Sequence, residues 1–367
     1  MIVDRRLLPH LDWWLVAAIV ALVSIGLVTI ASVNWDPALG QPGPRFWAQL
    51  YALGLGLVVM TVALFVDYRV LAQRSVLLYA GLVLALIVVA YLGVVSNGSR
   101  RWIRYGGFSL QPSEFGRVVL ALVLAMYYGG SRRGARTMST VVTGGLWLCG
   151  LLLLIARQPD LGTAVTLIPV FLGIIYVAGL RMKWLAIAGV VAVLASPLVW
   201  TYGLQDYQKR RVQTFLDPSQ DPRGDGYQQI QAKITVGSGG LLGKGFGEGT
   251  QSTYGFLPVA DNDFVFSAFA EEHGFLGVFV TLGLYLFVIV RSLDAARLAR
   301  DRVGAFLVVG IISGFTFQVV YNITMSAGLA PVKGLTLPLM SYGGSSLLAT
   351  LAGFGLVLNV RMRRFTN

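Results

Sequence analysis

Trp13-Trp14-Leu15-Val16-Ala17-Ala18-Ile19-Val20-Ala21-Leu22-Val23-Ser24-Ile25-Gly26-Leu27-Val28-Thr29-Ile30-Ala31-Ser32 carries no charge along its whole length. A run of about 20 predominantly apolar residues crosses a bilayer as a helix. This run is too long for the apolar core of a cleaved leader and has no small-residue cleavage site, so it reads as a retained first helix.

Runs of the same kind recur along the 367 residues. We place spans near 12–32, 46–66, 75–95, 112–130, 138–156, 161–179, 184–202, 274–291, 303–327 and 337–360. The fold expected is all-α: a single polytopic integral membrane domain over 1–367 with about ten transmembrane helices. Composition agrees, with 56% hydrophobic and 13% charged residues and a mean hydropathy of +0.70. Soluble domains are about a quarter charged. The runs are continuous rather than alternating, which argues against a β-barrel. Cys149 stands alone, so no intrachain disulfide forms, and His10 and His273 make no metal-ligand pattern.

The net charge of +12 reads as membrane orientation and contact with anionic lipid rather than nucleic acid. One alternate set of loops holds sixteen Lys and Arg residues: Arg5, Arg6, Arg69, Arg74, Arg132, Arg133, Arg136, Arg181, Lys183, Arg291, Arg297, Arg300, Arg302, Arg361, Arg363 and Arg364. The short loops of the other set hold six: Arg45, Arg100, Arg101, Arg104, Arg157 and Lys333. The first set is expected in the cytoplasm, together with both termini. The remaining loop, 203–273, is then extracytoplasmic. Within it Phe264 to Ala270 is apolar but too short to span, and reads as a re-entrant half-helix lining a protein cavity. No internal repeat stands out, which disfavours inverted-repeat transporter folds.

The informative residues break these rules. Arg100, Arg101 and Arg104, then Lys209, Arg210 and Arg211, then Lys333 put cations on the outer side. They are either solvated loop charge or one convergent anion site, for which Arg and Lys suit phosphate. Glu114 and Asp160 sit at outer helix ends, and Asp261 and Asp263 precede the half-helix. Ionisable groups at membrane depth imply function or a tight pair. Glu114 and Arg117, three apart, can pair on one helix face, and either aspartate could be a helix N-cap. The stretch Pro331 to Ser346 opens the last helix with two prolines and several glycines. It offers backbone N–H groups and hydroxyls to an anion, or small residues for helix packing.

Together these stretches resemble the SEDS family (shape, elongation, division and sporulation proteins). The likeness rests on Gly98-Ser99-Arg100-Arg101-Trp102-Ile103, Gln111-Pro112-Ser113-Glu114, Gln158-Pro159-Asp160-Leu161-Gly162-Thr163, Asp217-Pro218 with Asp221-Pro222, and Gly226-Tyr227-Gln228. It continues through Gly237-Ser238-Gly239-Gly240, Phe256-Leu257-Pro258, Asp263-Phe264-Val265-Phe266, Glu271-Glu272 with Gly274-Phe275, and the Pro331 to Ser346 run. Short termini and Asp12-Trp13 are more similar to the RodA branch than to the FtsW branch.

The resemblance implies a peptidoglycan glycosyltransferase that polymerises lipid II on the outer face of the bacterial cytoplasmic membrane during elongation. It implies partnership with a class B penicillin-binding protein and other elongation-complex membrane proteins. Asp263 falls on the family's essential aspartate. Glu114 falls on a family glutamate beside a basic residue, usually lysine and here Arg117. Where the family commonly has Glu, a basic or polar residue, His and Thr, this chain reads Val259, Ala260, Asp261 and Asn262.

The expected site has Asp263 as catalytic base, supported by Glu114, Arg117 and Asp160. Substrate contacts are expected from Arg101, Trp102, Gln111, Ser113, Lys209, Arg210, Lys333, Ser341 and Ser345. No permanently bound cofactor is expected, although a divalent cation, Mg or Mn, is compatible with carboxylate and phosphate oxygens. The competing readings are a flippase for the same lipid and a non-catalytic scaffold.

Overall fold

The computed structural model describes residues 9–96, 99–105, 108–131, 135, 137–203, 205–222 and 224–365. Arg5, Arg6, Gly98, Arg132, Arg133 and Arg136 of the sequence reading lie outside the described residues. The first five helices are α1 (Trp13–Val33), α2 (Pro44–Phe65), short α3 (Tyr68–Gln73), α4 (Ser75–Leu92) and α5 (Gly116–Gly129). There follow α6 (Met138–Arg157), α7 (Leu161–Val177), α8 (Met182–Leu198), α9 (Asp206–Leu216), α10 (Asp225–Ser238) and α11 (Thr250–Thr253). The chain ends with α12 (Val265–Arg297), α13 (Arg302–Ser326) and α14 (Gly344–Met362). Ten of these are the expected spans. Seven are long and apolar enough to cross a membrane by length and composition. The helices α5, α7 and α8, of 14, 17 and 17 residues, are shorter.

The helix at the centre is the last one, which carries Ser345, Ser346, Thr350, Asn359 and Arg361 among its apolar residues. Every residue of α14 from Ser345 to Met362 is buried. It packs mainly on α2, and α13 packs on α5, α7 and α12. Small residues permit the closest approach. A Cβ on Gly355 would come 2.6 Å from the Met60 carbonyl oxygen, and one on Gly56 would come 2.6 Å from Leu351. The outer helices present Val58, Leu84 and Phe279 on their exposed faces.

One end of the bundle is closed by ion pairs. Asp12, buried at the start of α1, meets Arg291 at 2.9 Å and Arg361 at 2.8 Å. Arg69 meets Asp301 at 2.9 Å, and Arg363 meets Asp67 at 3.3 Å. Asn359 donates to the carbonyls of Ala63, Leu64 and Val66, satisfying the C-terminal end of α2.

The other end carries the irregular structure. Two short antiparallel sheets form there: Trp35–Asp36 with Gln41–Pro42, and the order Val94–Ser96, Ser99–Tyr105, Phe108–Leu110. The sequence reading placed no strands here: four of the five have only two or three residues, and Ser99–Tyr105 does not alternate apolar with polar residues. The loop 203–273 holds α9, α10 and α11.

The expected half-helix runs from Val265 to His273 and breaks at Gly274, at φ 63° and ψ −165°, before the spanning part of α12. That conformation needs glycine. Its residues Val265 to Glu272 are buried in protein. Two expectations are corrected. The last helix starts at Gly344 rather than near 337, because Pro338 and Leu339, at φ 71°, hold the preceding chain out of helix. Neither Asp261 nor Asp263 caps α12, whose N-cap is Phe264 without a side-chain bond.

Candidate active site

Asp263 stands at the end of a tight turn whose first residue is strained. Val259 has φ 52°, an outlier for a β-branched side chain. Its carbonyl accepts from the N–H groups of Asn262 and Asp263, at 3.1 and 3.2 Å. The turn is held against Pro331–Gly343, the stretch before α14. Ser341 Oγ donates to Asn262 O at 2.6 Å and accepts from Leu337 N at 2.8 Å. Tyr342 N donates to Asp261 O at 2.8 Å. Asn322 of α13 clamps both strands of chain, donating to Asp263 O at 2.9 Å and to Leu335 O at 2.7 Å. Backbone strain held by this many bonds is a mark of functional sites.

The Asp263 carboxylate itself is left open. Its Oδ1 is buried and accepts no hydrogen bond among the described residues. Gly334, at φ 64°, keeps a side chain away from Oδ2, where a Cβ would lie at 3.5 Å. Asn262 Oδ1, Asn322 Oδ1 and Arg101 Nε are also buried without partners. Buried polar groups are normally paired, and here four such atoms stand without a partner among the described residues. Burial, with the charge of Asp261, pushes the Asp263 carboxyl up to about 6, against the pull of Arg101 and Arg211. Burial, then Arg211, also lowers the Lys333 ammonium below its ordinary range.

The neighbouring Asp261 is occupied. Arg45 donates to both of its oxygens at 2.9 and 2.8 Å, and Asn34 adds a bond at 3.3 Å. Arg45 thus ties the start of α2 to the aspartate turn.

The sequence-predicted residues, joined by Arg211, which was not among them, fall into two groups around Pro331–Gly343. Arg211 lies near Asp263, and Lys333 lies near Arg211, with its Nζ 5.8 Å from the centre of the Tyr321 ring. Lys209 and Arg210 do not join them: Lys209 donates to Thr201 O at 3.3 Å and Arg210 is exposed. On α9 the inward face is that of Arg211 and buried Thr214, three residues apart. Arg211 also pairs with Asp225 at 3.3 Å.

The second group is built on Asp160, the N-cap of α7. It accepts from Gln111 Nε2 at 2.6 Å, from Ser113 Oγ at 3.1 Å and from Thr163 N at 3.3 Å. Arg101 reaches it at 3.5 Å. Trp102 pairs with Val94 in the small sheet. Arg117 meets Glu114 at 3.0 Å and also bonds Gln318, forming a buried ionic group one turn below. Ser345 Oγ accepts from Gln111 N at 2.8 Å and donates to Ser109 O. The hydroxyls of Ser341 and Ser345 are therefore spent on holding the chain, not on a ligand.

Three site residues escaped the candidate list. Arg211 was indistinguishable from its two neighbours in an exposed cation run. Arg45 had no visible partner, since Asp261 lies 216 positions away. Asn322 had a readable signal: with Gln318, it places two amides four residues apart within an apolar span.

Comparison with known proteins agrees over nearly the whole chain. The sequence model of the FTSW_RODA_SPOVE family, described as cell cycle proteins, matches residues 12–365. The peptidoglycan glycosyltransferase MrdB of Escherichia coli K12 is 36% identical, covering 97% of this chain and 94% of that protein. The probable peptidoglycan glycosyltransferase FtsW of Trichlorobacter lovleyi is also 36% identical, covering 96% and 93%. Among solved structures, a chain of a peptidoglycan synthase complex that coordinates polymerization and crosslinking superposes with a TM-score of 0.85. It is 34% identical and covers 97% of this chain and 99% of that one. The rod shape determining protein RodA of Thermus thermophilus superposes at 0.73, with 32% identity over 97% and 98%. The helical bundle, the aspartate turn it presents and these full-length likenesses place the chain in the FTSW_RODA_SPOVE family of cell cycle proteins.

Proposed function

We propose that this protein is a peptidoglycan glycosyltransferase that polymerises lipid II on the outer face of the bacterial cytoplasmic membrane, with both termini in the cytoplasm. The observation that carries the reading is the Asp263 carboxylate, with a buried oxygen that has no partner among the described residues, within the field of Arg101 and Arg211. A general base must reach the proton it removes. A leaving diphosphate gains charge and needs preorganised cations.

In the reaction proposed, a hydroxyl oxygen of the acceptor sugar attacks the anomeric carbon of the donor. The new carbon–oxygen bond forms as the bond to diphosphate breaks, with inversion. The electron pair leaves with the diphosphate towards Lys333 and Arg211, and the hydroxyl proton passes to Asp263. Diphosphate needs no strong acid to depart, so a second acidic carboxyl is not required. Among the described residues no three His, Cys, Asp or Glu gather as a metal cluster. A divalent cation, Mg or Mn, is proposed to arrive with the substrate, held chiefly by its phosphate oxygens. The crosslinking partner proposed is a class B penicillin-binding protein, in line with the related synthase complex that joins polymerization to crosslinking.

The test is polymerisation of purified lipid II, with and without such a partner and divalent cation. Wild type is expected to make glycan and Asp263→Ala none. Normal polymer from the variant would sink the assignment. Binding or translocation of lipid II without polymer would favour the flippase reading.

A further inference from the structure

On α13, Gly310, Gly314, Gln318 and Asn322 follow one another at intervals of four and so lie along one face. The two glycines let neighbouring helices come close. A Cβ on Gly310 would meet Ile174 of α7 at 2.6 Å, and one on Gly314 would meet Val170 at 3.0 Å. The two amides next along the same face are buried, Gln318 at 1% exposure and Asn322 at 0%. Buried amides need partners, and these two reach different parts of the site.

Asn322 spends both hydrogens of one NH₂ group on two separate stretches of chain, on Asp263 O at 2.9 Å and on Leu335 O at 2.7 Å. Asp263 lies just before Phe264, the N-cap of α12, so its carbonyl stands outside the ladder of that helix. Leu335 lies in irregular chain and is buried. Both carbonyls therefore take their donor from a side chain. The preceding residue, Gly334, comes so near the Asp263 side chain that a Cβ there would lie 3.5 Å from Oδ2. The spacing between Asp263 and the chain that carries Lys333 is thus set by one planar amide.

Gln318, one turn away, bonds Arg117, which meets Glu114 at 3.0 Å. Ser346 of α14 is a further partner of Glu114, and its hydroxyl shares a hydrogen bond of 2.9 Å with that of Thr336. Thr336 follows Leu335, whose carbonyl Asn322 holds. The contacts close on themselves through α5, α14, the Pro331–Gly343 stretch and one turn of α13.

From this closed path we infer that Gln318 and Asn322 are positioning residues, which together fix where Asp263 stands relative to the segment that carries Lys333. The role of Asp263 as base rests on the glycosyltransferase reading above, whereas the grip on its backbone does not. The amides act through the backbone of the turn and not on a reacting atom. A shift of about 1 Å in a catalytic group is enough to cost about 10²-fold in rate.

The experiment uses the purified full-length protein and two readouts, lipid II polymerisation and hydrogen exchange. Asn322→Leu removes both donors and should lower kcat by about 10²-fold with KM changed less than about twofold. Asn322→Ser keeps one donor for two strands and should lose less. Gln318→Met should also lose less, and the double variant Gln318→Met with Asn322→Leu no more than Asn322→Leu alone, because both act along one path. The acid-side midpoint of activity, about 6 in wild type, should move to lower pH in Asn322→Leu, since a loosened turn lets water reach the carboxyl. Asp261, Arg101, Arg211 and Asp225 act on that carboxyl, and none of them is altered. Exchange of segments 256–264 and 331–343 should speed up together. Val320→Ala, on the exposed face of the same helix, should change neither readout. Should Asn322→Leu fail to fold, Asn322→Ser and Gln318→Met carry the same tests. An unchanged kcat, a loss confined to KM, an unmoved midpoint or strictly additive losses would overturn the positioning role. If wild type makes no polymer, the glycosyltransferase reading fails and exchange decides the grip by itself. Faster exchange of both segments then sustains it, and unchanged exchange overturns it.

Discussion

Asp263 and Glu271 stand eight residues apart in one loop, and their surroundings are opposite. Glu271 is fully buried and saturated. It accepts from Lys244 Nζ at 2.7 Å, Gln251 N at 3.1 Å, Ser238 and Thr250 hydroxyls at 3.2 Å, and both the N–H and hydroxyl of Ser252 at 3.3 Å. The carboxylate of Asp263 has a buried oxygen with no partner and cations nearby that it does not bond. A carboxylate whose lone pairs are occupied organises its loop, whereas one left open is available for a proton. Buried acids of equal prominence in a sequence can thus be scaffold or chemistry, and only hydrogen-bond saturation separates them.

That contrast breaks most sharply by mutation. Asp263→Asn should cut polymerisation by about 10²–10⁴-fold, the range for loss of a general base. Its thermal stability should be unchanged or higher. With the folded carboxyl at about 6, above an unfolded value of about 3.9, the fold favours the protonated form. Stability is therefore lost as pH rises through that window, and removing the charge relieves the cost. Glu271→Ala should do the reverse, destabilising by about 3 kcal/mol because Lys244 and five other donors lose their acceptor. Thermal unfolding in detergent, set beside activity of the surviving folded fraction, distinguishes the two. A stable but inactive Glu271→Ala would erase the distinction.

Next in size are the cations. Lys333→Met or Arg211→Gln should each lower kcat by about 10²-fold, as when one preorganised partner of a developing anion is removed. Lys209→Gln and Arg210→Gln should change little. Equal losses at all four would mean that the helical face of α9 does not select among them.

The smallest effect expected is in pH dependence. Activity that needs ionised Asp263 should fall as pH drops through about 6. Arg45→Gln leaves Asp261 uncompensated next to Asp263, so the midpoint should move to higher pH. The double variant Arg45→Gln with Asp261→Asn should bring it back. An unmoved profile in Arg45→Gln would show that this pair holds the turn without tuning the base.

Much of this architecture is legible in the chain itself. The runs beginning with Trp13–Ser32 are long enough to span, and the observed helices follow them closely because nothing but intrahelical bonding satisfies a backbone in lipid. Gly274 marks the break in α12, and the prolines of Pro331–Gly343 mark irregular chain. The sheets were invisible, because four of their five strands have only two or three residues and Ser99–Tyr105 does not alternate apolar with polar residues. Arg211 differs from Arg210 only by about 100° around a helix axis, and sequence does not say which face of an isolated amphipathic helix finds the site.

What the sequence by itself determined is therefore the set of apolar helices, through local hydrophobicity, and the motif that singles out Asp263 as the proposed base. Tertiary structure decided which charges are spent. Asp261 is neutralised by Arg45 from α2, Glu271 by Lys244 and the glycine-rich chain around it, and Asp160 by Gln111, Ser113 and Arg101. Each partner reaches the site on a different element, brought there by helix packing over long sequence separations. After those pairings, Asp263 and Glu272 each keep a buried oxygen without a partner among the described residues, and of the two it is Asp263 that lies within the field of Arg101 and Arg211, which is a property of the fold.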